Sequence, residues 1–381
     1  MKVFHCDHCD HLVFFENTEC VSCGHRLAYL PDLGVVGSLE DAGDGTWRSP
    51  LPRSGGRAYR LCRNYFEEQV CNWTLPADDP NPLCLSCRLT RIIPDLTLPE
   101  HRLAWYRLEV AKRRLVFTLL ELGQPVLNRA EDARRGLTFE FMADPAGAGP
   151  VYLTGHADGV ITINIAEADD AERERRRTSV HEPYRTLLGH MRHESGHYYW
   201  DRLVRGGPEM ARFAELFGDP ERDYGEALRT HYERGAPPDW QARFVSAYAS
   251  AHAWEDWAET WAHYLHIVDT LETAAACGLS LRPRRRDEPA LKSVPGSVTS
   301  PSAPFDRLIE TWLPITYALN NLNRGLGLAD AYPFVLSPPA IEKLRFVHDV
   351  IGRPQAWPDA GDSGEVASRS ASGTSEQTIS S

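Results

Sequence analysis

Eight of the nine cysteines fall into two groups, and their spacing limits what the first hundred residues can become. Cys6-x-x-Cys9 and Cys20-x-x-Cys23 form two knuckles separated by ten residues. Each CxxC pair can place two sulfurs on one ion through a tight turn, and Gly24 supplies the backbone freedom such turns use. A segment this short buries too little apolar surface to fold alone, so metal binding would supply most of its folding free energy. Residues 1–33 are therefore expected to form a zinc ribbon on Cys6, Cys9, Cys20 and Cys23. His5, His8, His11 and His25 lie close by and a histidine could replace one thiolate, but the all-thiolate set is simpler. Cys62, Cys71, Cys84 and Cys87 form the second group, expected as a zinc-binding module over 57–95. Only Cys84-Leu85-Ser86-Cys87 has the paired spacing, and four buried free thiols are the alternative. Between the groups, 34–56 is rich in Gly, Asp, Ser and Pro and reads as a linker. Cys277 stands alone and is expected as a small core residue.

Charge and hydropathy narrow the function classes. A formal net charge of −12 argues against a general binder of nucleic acid or anionic membranes, since either needs a basic surface. The basic runs Arg173–Arg177 and Arg284–Arg286 read as solvated loops. No stretch offers 18 uninterrupted apolar residues, and the opening MKVFHCDHCD has no apolar export segment. These features lead to the expectation of a soluble cytoplasmic protein whose thiols stay reduced as metal ligands.

The second half carries a different metal pattern. His193-Glu194-Ser195-Gly196-His197 reads HExxH. On a helix the two histidines project from one face about 40° apart, a geometry suited to one zinc, with Glu194 near enough to act as general base on a zinc-bound water. The helix is expected from Pro183 to Val204, where Gly206-Gly207-Pro208 stops it. Asp201, on the face of His190, His193 and His197, is a candidate partner for His197. Two histidines leave a catalytic zinc one protein ligand short, and a third ligand must be sought downstream. Glu255 and Glu259 share a helical face with His266 and, if the helix extends back, with Tyr248 and His252. Trp257, Trp261, Leu265 and Val268 line the opposite side as core. A helix is expected over 98–123 and strands over 137–142 and 161–165, followed by helices at 305–326 and 338–351. The segment 282–304 reads as an exposed loop and the Ser-rich tail, 353–381, as disordered. The whole is an α+β chain, with Cys-rich modules ahead of a mainly helical domain, 98–352, that holds a small sheet.

His193-Glu194-x-x-His197 followed by Glu255-x-x-Ala258-Glu259 resembles the gluzincin arrangement. More closely, a zinc ribbon, Cys71-Asn72-Trp73, HESGHYYWD from His193 to Asp201 and WEDWAETWAHYLH from Trp254 to His266 resemble a bacterial family of zinc-binding metallopeptidases over nearly all of residues 1–350. The resemblance implies that His193, His197 and Glu255 hold a catalytic Zn2+, that Glu194 is the base, and that Glu259 steadies a liganding histidine. The last position is Glu and not the usual Asp, so the roles of Glu255 and Glu259 could be exchanged. Tyr248, His252 and His266 are candidate oxyanion donors by helical phase alone. The strand Val160–Ile165, preceding the active-site helix as an edge strand does in zincins, is a candidate platform for an extended peptide. The expectation is thus a zinc metallopeptidase with one catalytic and one or two structural zinc ions, acting on polypeptides, its ribbon available to a protein partner. The competing reading is a non-catalytic zinc-ribbon binding protein with an inactive zincin-like domain.

Overall fold

The structure is a computed structural model that describes residues 2–145, 152–170, 172–173, 186–285, 291–296 and 303–353. The start of the expected HExxH helix, part of the 282–304 segment and the tail beyond 353 lie outside the described residues.

The amino-terminal part is built on strands. A two-residue hairpin, β1 (Phe4–His5) with β2 (Leu12–Val13), carries the first knuckle. Both knuckles close identically: the amide of Asp10 bonds to the Cys6 carbonyl and that of Gly24 to the Cys20 carbonyl, each at 2.8 Å. Asp10 (φ 59°) and Gly24 (φ 70°) take the left-handed conformation this closure needs. An antiparallel five-stranded sheet follows, in the order β3 (Arg26–Leu30), β4 (Val35–Asp41), β5 (Trp47–Arg48), β6 (Ala58–Leu61), β7 (Thr74–Pro76). The stretch 34–56 is therefore sheet and not linker: it supplies β4 and β5, and its polar, glycine-rich character serves the turn at Gly43 and Gly45. The sheet runs continuously from one cysteine group to the other. Tyr65, on the one-turn helix α1 (Arg63–Phe66), ties them further by donating to the carbonyls of Thr18 (2.8 Å) and Leu27 (3.0 Å).

The helical part opens with α2 (Pro99–Glu121). A mixed sheet in the order β10 (Gly155–Ala157), β11 (Val160–Asn164), β9 (Thr138–Met142), β8 (Thr90–Ile92) lies beside it. β10 and β11 form a hairpin through Asp158 (φ 48°) and Gly159 (φ 81°), the paired left-handed residues of a type I′ turn. The strand over 160–165 is consequently not an edge: β10 covers one side and β9, in parallel, the other. The edge nearest the HExxH helix is β10.

That helix, α3 (Leu187–Leu203), is capped by Thr186, whose side chain accepts from the Gly189 amide at 2.9 Å. α4 (Met210–Phe217), α5 (Tyr224–Arg234), α6 (Ala253–Ala276), α7 (Phe305–Gly325) and α8 (Pro338–Ile351) complete the domain. Trp257, Trp261, Leu265, Phe213 and Phe346 are buried in the core around α6. Cys277 is exposed and not a core residue: Leu271 and Ala274 are the last buried side chains of α6, and the chain leaves the core beyond them. Among the described residues no helix is long and apolar enough to cross a membrane.

Candidate metal centre

Helices α3 and α6 cross at the HExxH motif, and the crossing depends on its two middle residues. A methyl group at Gly196 would stand 2.9 Å from Cα and 3.2 Å from the carbonyl oxygen of Ala258, so only glycine permits this approach. Two indoles of α6 lock the contact: Trp257 donates to the Gly196 carbonyl (2.8 Å) and Trp261 to Ser195 Oγ (3.1 Å). Buried between helices, these polar groups would each be costly if left unpaired. The aromatic stripe thus seats α6 on the metal motif itself.

The crossing brings Glu255 to the histidines. Glu255 Oε2 lies 3.0 Å from His193 Nε2 and 3.5 Å from His197 Nε2, and among the described residues it accepts no hydrogen bond. Ligand atoms of tetrahedral zinc with nitrogen and oxygen donors stand about 3.3 Å apart. A buried carboxylate oxygen with no hydrogen bond, placed between two imidazole nitrogens at that spacing, fits a shared cation. Burial works against ionisation of Glu255, yet His197 and His193 hold its carboxyl well below the usual carboxylate range. For His193 burial is likewise outweighed, because Glu255 and Glu259 draw a proton onto the metal-free ring.

The remaining polar atoms of Glu255, His193 and Glu259 are engaged elsewhere. Tyr224 Oη donates to Glu255 Oε1 at 2.6 Å, so only Oε2 turns to the histidines. His193 Nδ1 donates to Glu259 Oε1 (2.7 Å), and Glu259 Oε2 accepts from Ser246 Oγ (2.6 Å). Both oxygens of Glu259 are therefore engaged away from the point where His193, His197 and Glu255 meet. His197 Nδ1 has no hydrogen-bond partner among the described residues, and Trp254 packs on that ring at 4.0 Å. Asp201 does not serve it: its carboxylate pairs with Arg205 at 3.1 Å, one turn on.

Glu194 points aside from the three converging atoms. Its Oε1 lies 3.1 Å from His190 Nε2, while His190 Nδ1 donates to Glu167 Oε2 at 2.6 Å. Against burial, the two carboxylates push the His190 imidazole up to about 10. Glu194 is in turn held below its ordinary range, chiefly by His190 working against burial.

The candidate donors fare differently. Tyr248 lies in a separate 3-10 turn (Tyr248–Ser250) before α6, with its ring 5.9 Å from that of His193. His252 is the N-cap of α6: Nδ1 accepts from the Trp254 amide (3.1 Å) and Nε2 donates to the Arg222 carbonyl (3.0 Å). Both nitrogens are consumed, so His252 is no oxyanion donor. His266 is excluded by distance, standing eleven residues or about 16 Å along α6 from Glu255, with its ring against Trp312 and Tyr332. Sequence reasoning assigned no role to Tyr224, Ser246, Glu167 or His190, nor to His156 on β10, whose ring lies 6.3 Å from that of His197. Burial, then the nearby His197, lowers the His156 imidazole to about 4 and keeps it neutral.

The cysteine clusters assemble as two further groups, with the four ligand atoms of each within 4.8 Å of one another. Sulfur pairs Cys6–Cys23 (3.6 Å), Cys9–Cys20 (3.7 Å) and Cys71–Cys84 (3.7 Å) match the edge of about 3.8 Å in a tetrahedral zinc–thiolate site. Amides already point at the second cluster, Cys84 N to Cys62 Sγ (3.3 Å) and Trp73 N to Cys71 Sγ (3.4 Å).

Comparison with known proteins agrees with this layout. Residues 101–350 match the family described as "Putative zinc-binding metallo-peptidase", and residues 3–98 match a zinc-ribbon domain. Uncharacterized proteins of Mycobacterium tuberculosis and Mycobacterium bovis are 45% identical to the chain over 352 residues, spanning 92% of it and 95% of their own length. No solved structure matches the chain. The α+β fold, with a strand-rich cysteine region before a mostly helical domain, and the extent of these matches identify the chain as a member of the zinc-binding metallo-peptidase family, carrying an amino-terminal zinc ribbon.

Proposed function

We propose that the chain is a zinc metallopeptidase of gluzincin type, with His193, His197 and Glu255 as ligands and Glu194 as general base. The observation that carries this reading is the convergence of three buried donor atoms beside Glu194, one of them a carboxylate oxygen that accepts no hydrogen bond among the described residues. Zinc bound there would acidify a water molecule and polarise a scissile carbonyl. Glu194 would accept a proton from the attacking water as its oxygen bonds to the carbonyl carbon, and would return that proton to the leaving nitrogen as the C–N bond breaks. Tyr224 keeps Glu255 to a single ligating oxygen. Glu259, braced by Ser246, fixes the tautomer and orientation of His193. Tyr248, beside the His193 ring, remains the oxyanion donor on our reading. Six thiolates and two more, in two sets of four, would hold two structural zinc ions.

The substrate we assign is a polypeptide. The edge strand β10 borders α3, and its side left unpaired among the described residues could pair with an extended chain, giving main-chain recognition. The first ribbon exposes Leu12, Phe14 and Val21 at its tips, an apolar surface suited to a protein partner. Cleavage of a proteome-derived peptide library, with new amino termini sequenced, tests the assignment. Wild type should generate defined cleavage sites that Glu194→Gln does not; identical products from the two would overturn it.

A further inference from the structure

We propose that Glu167 and His190 are positioning residues for Glu194: together they fix which oxygen of the base faces the metal centre. The inference rests on the peptidase reading above and adds two residues to it.

His190 stands between two buried carboxylates, with Nδ1 2.6 Å from Glu167 Oε2 and Nε2 3.1 Å from Glu194 Oε1. The Glu167 and Glu194 side chains are 1% and 6% exposed, so both carboxylates sit largely out of water. His190 thus reaches the two carboxylates with its two ring nitrogens, Nδ1 toward Glu167 and Nε2 toward Glu194. A carboxylate free to rotate can offer either oxygen to a water. With Oε1 occupied by His190, Glu194 has Oε2 left to accept a proton, in one orientation.

The bridge has a rigid anchor. Glu167 sits in a 3-10 turn (Ile165–Ala168) at the end of β11, where Asn164 caps the turn by accepting from the Ala166 amide at 2.9 Å. Thr154 Oγ1 donates to Glu167 Oε1 (2.7 Å), and Arg107 of α2 donates to the Ala168 carbonyl (2.8 Å). The sheet thereby sets the angle of a side chain on α3, and it does so through a residue one helical turn before the base. Neither His190 nor Glu167 belongs to the three-residue metal set, so zinc binding does not require them.

The test uses the zinc-loaded full chain and a peptide cleaved by wild type. Glu167→Gln and His190→Ala should each retain all three zinc ions and a near-unchanged KM, with kcat lowered about 10 to 100-fold, as for loss of other orienting partners. Added imidazole should restore part of the kcat of His190→Ala and none of that of the His190→Ala, Glu167→Gln double variant. An unchanged kcat with zinc retained would show that the pair only braces the fold, and loss of the third zinc would show that it serves the metal; either overturns the proposal. Should His190→Ala not fold, Glu167→Gln decides alone by the same criteria. If wild type cleaves nothing, the peptidase reading fails separately. Nitrogen-15 NMR of the zinc-loaded chain then tests the bridge: the ring signals missing from the His190→Ala spectrum should shift in both Glu167→Gln and Glu194→Gln, and ring signals unmoved by either would overturn it.

Discussion

At the scale of single residues, the account turns on Glu255 and Glu259, four positions apart on one helix. Helical phase places both on the same face and cannot say which meets the metal, because the answer lies in residues distant in sequence. Tyr224, 31 positions before Glu255, takes one oxygen of that carboxylate, while Ser246 and His193 take both oxygens of Glu259. The two should therefore respond differently to substitution. Glu255→Ala is expected to lose the third zinc outright. Glu259→Gln should keep it with affinity about 10 to 100-fold lower, as when an orienting partner of a liganding histidine is removed. Competition with a chelating dye measures both, and equal losses would contradict the assignment. His190 was legible as a residue on the motif face, but its partner Glu167 enters from the sheet, a long-range contact that periodicity does not encode.

At the scale of elements, the crossing of α3 and α6 makes the site. Gly196→Ala raises helix propensity, and on a free helix it would stabilise. Here the added methyl meets the α6 backbone at 2.9 Å, so the helices must separate and carry Glu255 away from the histidines. The expected outcome is loss of the third zinc and of about 1–3 kcal/mol of stability, read by metal analysis and denaturant unfolding. α8 supports α6 through a buried ion pair, Lys343 Nζ to Asp256 Oδ2 at 2.6 Å, adjacent to Glu255. Lys343→Met leaves Asp256 buried without its partner and should cost about 3 kcal/mol, less if the carboxyl takes up a proton; an unchanged midpoint in denaturant would refute this. The helices at 99–121, 305–325 and 338–351 were legible from their apolar spacing and from their prolines and glycines. Two strand assignments were not. Asp158-Gly159 is a strong hairpin turn, but the true edge strand before it, β10, is three residues long and too short to show a period of two. The stretch 34–56 looked like linker because its turn residues outnumber the short apolar run Val35–Leu39 that forms β4.

At the scale of the whole molecule, the cysteine region and the helical domain are joined through charge as well as packing. Arg113 of α2 is buried and donates to the Val70 carbonyl beside the second cluster. Burial disfavours its charge, but Cys71, Glu109, Cys87 and Cys84 hold the guanidinium protonated. A zinc ion with four thiolates carries two net negative charges, and Arg113 is the buried cation that faces them. Arg113→Leu should therefore speed release of the second structural zinc and lower Tm, while the first ribbon keeps its metal; unchanged zinc release would contradict this link. The CxxC pairs and the two histidines of HExxH stand out in sequence because metal binding constrains spacing so tightly, whereas Glu255 does not. Nor does the mutual support of the three sites, since it depends on how a five-stranded sheet and α2 pack.

The central claim is that one zinc, held by His193, His197 and Glu255, performs the chemistry while two others hold the fold. Mild chelation followed by stepwise return of zinc to the wild-type chain tests it most directly. Chelator should remove one zinc of three and all hydrolysis with little loss of folded structure, and hydrolysis should return in proportion to the third equivalent. Hydrolysis that persists with two zinc ions bound, or a third zinc that binds unchanged in a His193→Ala, His197→Ala variant, would contradict the account.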